Sequence, residues 1–105
     1  MAGLSGPSGG AGWQVYIIHC SDGSLYTGIT TDVERRLAQH GAGRGARYFR
    51  GRDPERLVYL EDGHDRSSAS RREAAIKQLQ REDKWRLIES AANRLHGRGP
   101  DAGDA

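Results

Sequence analysis

Five side chains stand out for the chemistry they could do together: Tyr16, Tyr26, Arg36, His40 and Glu73. They supply proton acceptors, a guanidinium shaped to grip a phosphate in two places and a carboxylate able to hold a metal. Each also has an ordinary alternative. Arg36 can snorkel to the rim of its helix or pair with a structural carboxylate. His40 can satisfy the last carbonyls of that helix. Glu73 stands four residues before Lys77, the favourable order for a surface ion pair. No Ser-His-Asp arrangement, P-loop or GxGxxG competes with this set. The four histidines are scattered and the only cysteine is Cys20, so an intramolecular disulfide and a cysteine-based zinc site are excluded.

The elements that must position these groups can be read from periodicity. "WQVYIIH" is a β-branched and aromatic run that reads as a strand, and "SLYTGIT" reads as a second. The "SDG" between them makes a hairpin in either of two registers. A two-residue Asp22-Gly23 turn pairs Ser21 with Ser24 and sends Tyr16 and Tyr26 to opposite faces. A three-residue Ser21-Asp22-Gly23 loop, with Gly23 left-handed, pairs Cys20 with Ser24, puts the tyrosines on one face and sets Tyr16 opposite Gly28. The sequence allows both.

"TTDVERRLAQHGAG" is a helix capped by Thr31 or Asp32 and stopped at Gly41 or Gly43. Val33, Arg36, Leu37 and His40 share one face of it, and Arg35 faces solvent. Pro54 bars a helix after the glycine-rich loop, and "ERLVYLED" reads as a third strand. "RSSASRREAAIKQLQRE" is a second helix, capped by Ser67 or Ser68, with Ala69, Ile76 and Leu79 inward and Glu73 at the border. "DKWRLIESAANRL" is a third helix with Asp83 near its start. The order β-β-α-β-α-α predicts an α/β (α+β-like) domain on a three-stranded, mainly antiparallel sheet flanked by three helices.

Residues 1–12 and 93–105 are Gly/Ser/Pro/Ala-rich or polar and read as disordered tails, leaving 13–92 as the folded domain. No apolar run approaches the ~20 residues that span a bilayer, and the expectation is a soluble, cytoplasmic protein. Net charge is only +2, but fourteen of the sixteen basic residues are arginine. They concentrate in 35–52 and 66–86. Arginine-rich segments on a small domain point to a polyanionic partner, unless they are only a solvated surface.

With these residues in view, the chain resembles the GIY-YIG endonucleases, in particular their small single-domain bacterial branch, over roughly residues 13–90. "QVY" at 14–16 and "YTG" at 26–28 match the two signatures, "DVERRLAQH" the helix of the family arginine, and "SRREAAIKQL" the helix of the metal-binding glutamate. Gln14 stands where the signature has glycine, and Thr27 where it has a branched apolar residue. Many members carry an asparagine some way after the glutamate; the corresponding region here reads "LIES", and the next asparagine is Asn93.

The resemblance implies phosphodiester hydrolysis of DNA, single-stranded or branched, with one divalent metal, Mg²⁺ or Mn²⁺, on Glu73. It further implies that Arg36 clamps the phosphate and Tyr26 activates water, supported by Tyr16. Tyrosine ordinarily titrates near ~10, so Arg36 and the metal must lower that value. Gly28 would allow close approach beside Tyr16. His40 could position phosphate or nucleophile, and Arg44, Arg47, Arg50 and Lys77 would hold the nucleic-acid backbone. With no second specificity module in view, any sequence preference could come from a protein partner. A binding module on the same fold, without turnover, is the alternative.

Overall fold

A computed structural model describes residues 12–41 and 53–95. Its elements follow the expected order: β1 (Trp13–Cys20), β2 (Leu25–Thr30), α1 (Val33–Gly41), β3 (Pro54–His64), α2 (Arg66–Lys77) and α3 (Arg81–Ile88). The sheet has the order β2-β1-β3, and both strand pairs are antiparallel. β1 is therefore central, which is why its apolar run is buried on both faces.

The three-residue hairpin loop is the one formed. Tyr16 pairs with Gly28 and Ile18 with Tyr26. The Cys20 amide donates to the Ser24 carbonyl at 2.9 Å, and Gly23 is left-handed at φ +86°. Contacts from outside the hairpin hold this tip. The Ser21 amide donates to the Asp53 carbonyl at 2.8 Å, the Asp53 amide donates to Ser21 Oγ at 2.9 Å, and Arg81 donates to the Gly23 carbonyl at 2.7 Å.

Two apolar layers cover the sheet. On one face Val15, Ile17, Leu25, Val58 and Tyr59 pack with Ala69 and Ile76 of α2 and Ile88 of α3. On the other, Tyr16, Ile18 and Cys20 pack with Val33 and Leu37 of α1. Leu79, expected inward, follows the end of α2 and is exposed.

The cap of α2 also differs from expectation. Asp65 is the N-cap: its carboxylate accepts from the Ser68 amide at 2.8 Å, while Ser68 Oγ accepts from the Asp65 amide at 3.2 Å. Asp65 precedes the helix and Ser68 answers it from the first turn, a reciprocal capping box that also sets an anion against the helix dipole.

α3 ends earlier than its periodicity suggested. Ser90 Oγ donates to the Leu87 carbonyl at 2.7 Å and Asn93 Nδ2 to the Ile88 carbonyl at 2.7 Å, so side chains satisfy its last turn. Asn93 itself is buried, and Nδ2 also donates to the Val58 carbonyl at 2.8 Å while Oδ1 accepts from the Leu60 amide at 3.2 Å. The expected tail boundary after residue 92 therefore falls short, because this amide stitches the chain after α3 to β3.

Candidate active site

The hairpin register turns Tyr16 and Tyr26 to the α1 side of the sheet. The Tyr16, Tyr26 and His40 rings form a triangle, with centroids 6.2 Å apart for Tyr16–Tyr26 and Tyr16–His40 and 5.7 Å for Tyr26–His40. The Tyr16 hydroxyl lies 3.1 Å from His40 Nε2, and both residues are buried. Tyr26 is only partly buried. Gly28 makes room for this packing: a Cβ there would sit 2.6 Å from the Tyr16 hydroxyl oxygen and 2.7 Å from Cζ. Only a residue without a side chain fits beneath that phenol.

α1 presents the face its period specified. Val33 and His40 are buried, Arg36 and Leu37 are partly buried, and Arg35 is exposed. Arg36 Nη1 donates to Gln39 Oε1 at 3.0 Å. Its Nε is buried without a hydrogen-bond partner among the described residues. Such an orphan donor is costly unless an anion completes it. The guanidinium-bearing residue lines a small polar hollow with Thr30, Thr31, Asp32, Arg35 and Gln39. The start of α1 is pinned from two sides: the Arg35 amide donates to Asp32 Oδ1 at 3.2 Å and the Val33 amide to Gln14 Oε1 at 3.1 Å.

The tyrosines are not acidified. Burial pushes Tyr16 up to about 12, with the neighbouring Tyr26 adding to the effect; hydrogen bonding and charge from Arg36 pull the other way, and Glu73 pushes up again. Tyr26 is also raised, first by burial and also by Glu73, against the lowering influence of Lys77, Arg36 and hydrogen bonding with Tyr16. Of the two influences expected to lower a tyrosine, Arg36 and the metal, Arg36 by itself is outweighed by desolvation.

Glu73 comes from the opposite layer. α2 packs against β2, the edge strand that carries Tyr26, and the Glu73 charge is felt at both tyrosines. Glu73 Oε2 is 3.3 Å from Lys77 Nζ, so the surface pair expected of the spacing is formed. Lys77 also borders a cleft of about 290 Å³ with Leu25, Tyr26, Thr27 and Lys84. Glu73 is thus both ion-paired and electrostatically coupled to the two hydroxyls. The donor set fits magnesium. The carboxylate is partly exposed and already attracts a cation, and magnesium needs only one or two carboxylates beside waters and a substrate phosphate. Among the described residues no group of three or more His, Cys, Asp or Glu side chains forms a closed metal cage.

The family model of the GIY-YIG catalytic domain matches residues 12–87. The chain belongs to the GIY-YIG family. This GIY-YIG domain is 57% identical over 75 residues to a UPF0213 protein of Halobacterium salinarum, covering 71% of this chain and 97% of that one. It is 52% identical over 80 residues to a UPF0213 protein of Desulfotalea psychrophila, covering 75% and 73%. Among solved structures, the solution structure of a UPF0213 protein from Bacillus halodurans is similar at a TM-score of 0.50 and 45% identity, over 76% of this chain and 85% of that one. A protein from E. faecalis is similar at a TM-score of 0.53 and 38% identity, over 76% and 83%. GIY-YIG is a nuclease family whose members generally use divalent metals and act on DNA.

The two departures from the GIY-YIG signature acquire structural accounts. Gln14, in place of glycine, holds the first amide of the helix that carries Arg36. Thr27 keeps a branched shape on a buried strand position, and its Oγ1 has no partner among the described residues. Arg44, Arg47 and Arg50 lie outside the described residues. Among those residues no helix is long and apolar enough to cross a membrane.

One polar cluster escaped the reading of the sequence. Glu61 accepts from Tyr59, faces His64 Nε2 at 2.7 Å and accepts from Arg72 Nε at 2.8 Å. Burial alone would raise its carboxyl, but the Tyr59, His64 and Arg72 hydrogen bonds hold it below the usual range. The alternation that puts Tyr59 and Glu61 on one strand face was the available signal.

Proposed function

We propose that this chain is a metal-dependent endonuclease that hydrolyses DNA phosphodiesters, on single-stranded or branched substrates, with Mg²⁺ or Mn²⁺. The observation that carries the reading is the convergence of two tyrosines, an inward arginine with an uncompleted donor and a buried histidine beside the charge of Glu73. Glu73 would hold the metal, which when bound supplies charge stabilisation at the scissile phosphate and its leaving oxygen. Arg36 completes its Nε donor on a non-bridging phosphate oxygen and stabilises the same developing charge.

Tyr26, the tyrosine with access to solvent, takes the proton from the attacking water. Because both phenols hold their protons tightly, no free tyrosinate need accumulate. Tyr26 accepts the water proton as its own passes to Tyr16, and the Tyr16 proton passes to His40, in the tautomer whose Nε2 accepts. Imidazole is the side-chain type suited to such exchange near neutral pH. Neutralising Glu73 would also remove one of the charges that raise both tyrosines.

The test is cleavage of labelled single-stranded, flap and duplex DNA with Mg²⁺ or Mn²⁺, comparing wild type with Glu73→Ala. The variant should lose cleavage; undiminished activity sinks the metal-ligand assignment. The raised tyrosines favour one second reading, a module that binds nucleic acid without cutting it. Salt-dependent binding with no cleavage under either metal would select that reading.

A further inference from the structure

Lys77 stands between two sites with opposite demands. Its Nζ is 3.3 Å from Glu73 Oε2, in the position of a counter-ion to the carboxylate assigned to the metal. The same residue lines the cleft of about 290 Å³ that follows β2 along Leu25, Tyr26 and Thr27 and reaches Lys84. No carboxylate lines that cleft, and no ion pair joins Lys84 to an acid among the described residues. With two lysines and no acid among the residues that line it, this cleft is suited to an anion.

The pair with Glu73 is loosely held. The side-chain exposures are 53% for Lys77 and 24% for Glu73, so solvent reaches the pair. Ion pairs screened in this way are weak and easily exchanged. Lysine is a compact charge on a flexible four-carbon stem, able to leave one anion for another without moving the helix. A divalent cation at Glu73 would both out-compete and repel the ammonium.

We propose that Lys77 is an exchangeable counter-ion: it neutralises Glu73 while no metal is bound, and when a divalent cation takes the carboxylate it passes to a DNA phosphate in the Tyr26–Lys84 cleft. The phosphate half rests on the nuclease reading; the exchange at Glu73 does not. Lys77 thereby couples metal loading to grip on the substrate backbone beside the reacting phosphate. Lys84 serves only the second task, since no ion pair links it to Glu73.

Lys77→Met and Lys84→Met separate the two roles. Met keeps the apolar stem and the helical propensity, and far-UV circular dichroism confirms the fold. Mn²⁺ affinity is read without DNA from the paramagnetic broadening of α2 amide signals during titration. DNA affinity is read with Ca²⁺ as the cation over a range of salt. Lys77→Met should bind Mn²⁺ about two- to five-fold more tightly, the span of an exposed pair removed as competitor. It should also bind DNA more weakly, with a log–log salt slope shallower by about 0.7–0.9 for one lost phosphate contact. Lys84→Met should show the DNA effect with wild-type Mn²⁺ affinity.

Unchanged or weaker Mn²⁺ binding in Lys77→Met overturns the exchange. Unchanged DNA affinity and slope in that variant overturn the phosphate half. Opposite shifts in the two affinities, alongside a wild type that cuts no DNA, would uphold the exchange while refuting the nuclease reading.

Discussion

Gly28→Ala is the substitution whose consequence follows most directly from the distances in the site. The new Cβ would stand 2.6 Å from the Tyr16 hydroxyl oxygen, 2.7 Å from Cζ and 3.1 Å from Cε2 of Tyr26. Non-bonded heavy atoms rest at about 3.5–4.0 Å, so the phenol must retreat by about 1 Å. It has no open side to move into: Tyr16 is 1% exposed, and its hydroxyl is set against His40. Overpacking of this kind costs about 1–3 kcal/mol, offset by about 0.4–1 kcal/mol from the stiffer unfolded chain. At mid-range values the net loss is ~1.3 kcal/mol, or a fall in melting temperature of roughly 5–10 °C for a domain of this size.

Cleavage should suffer more than stability. Tyr16 is the middle member of the proposed proton path, and a misplacement of ~1 Å can cost about a hundred-fold in rate. The assay pairs thermal melts with single-turnover cleavage of the preferred DNA at a temperature where both proteins are folded. Gly23→Ala is the control. Gly23 sits at φ +86°, and nothing lies within 4 Å of where its Cβ would stand. Alanine there strains the backbone without touching the tyrosines. The control should lose stability and keep its rate. A Gly28→Ala protein that melts and cleaves like wild type would refute the close packing of Tyr16 on Gly28 as a determinant of the site.

Two further predictions concern stability. Tyr16 is held at about 12 against an ordinary 10.0, so the folded state keeps a proton that the unfolded state releases first; its contribution is full below pH 10 and is lost as pH rises toward 12. The shift corresponds to at most about 2–3 kcal/mol, and urea midpoints should fall across this alkaline window, less steeply in Tyr16→Phe; identical slopes in the two proteins would contradict the burial account. Asn93→Ala strands the buried carbonyl of Val58 and the amide of Leu60. A polar group left unpaired in this way costs about 1–3 kcal/mol, so denaturant unfolding should show a loss of at least ~2 kcal/mol. A loss below ~0.5 kcal/mol, the low end for a single hydrogen bond, would return residue 93 to the tail.

The legible part of this protein was local. Alternating β-branched runs named the strands, the 3.6-residue period separated inward Arg36 from outward Arg35, and the tyrosine, arginine and glutamate motifs carried the family. These follow from geometry repeated within a few residues, so each segment specifies them without help from the rest of the chain. The hairpin register was different, because "SDG" serves either turn. It is held by Asp53 and Arg81, residues far away in the chain, and with it comes the shared face of Tyr16 and Tyr26. The early end of α3 likewise depends on Asn93 binding carbonyls of α3 and β3.

The sign of the tyrosine shifts also emerges only on folding, since it sums burial and the Glu73 charge against the charges of Arg36 and Lys77 from separate elements. Sequence spacing specifies which groups can face one another along one element. How closely groups from different elements approach, and how much water they lose in doing so, is set by packing, and for this site that balance leaves the phenols protonated.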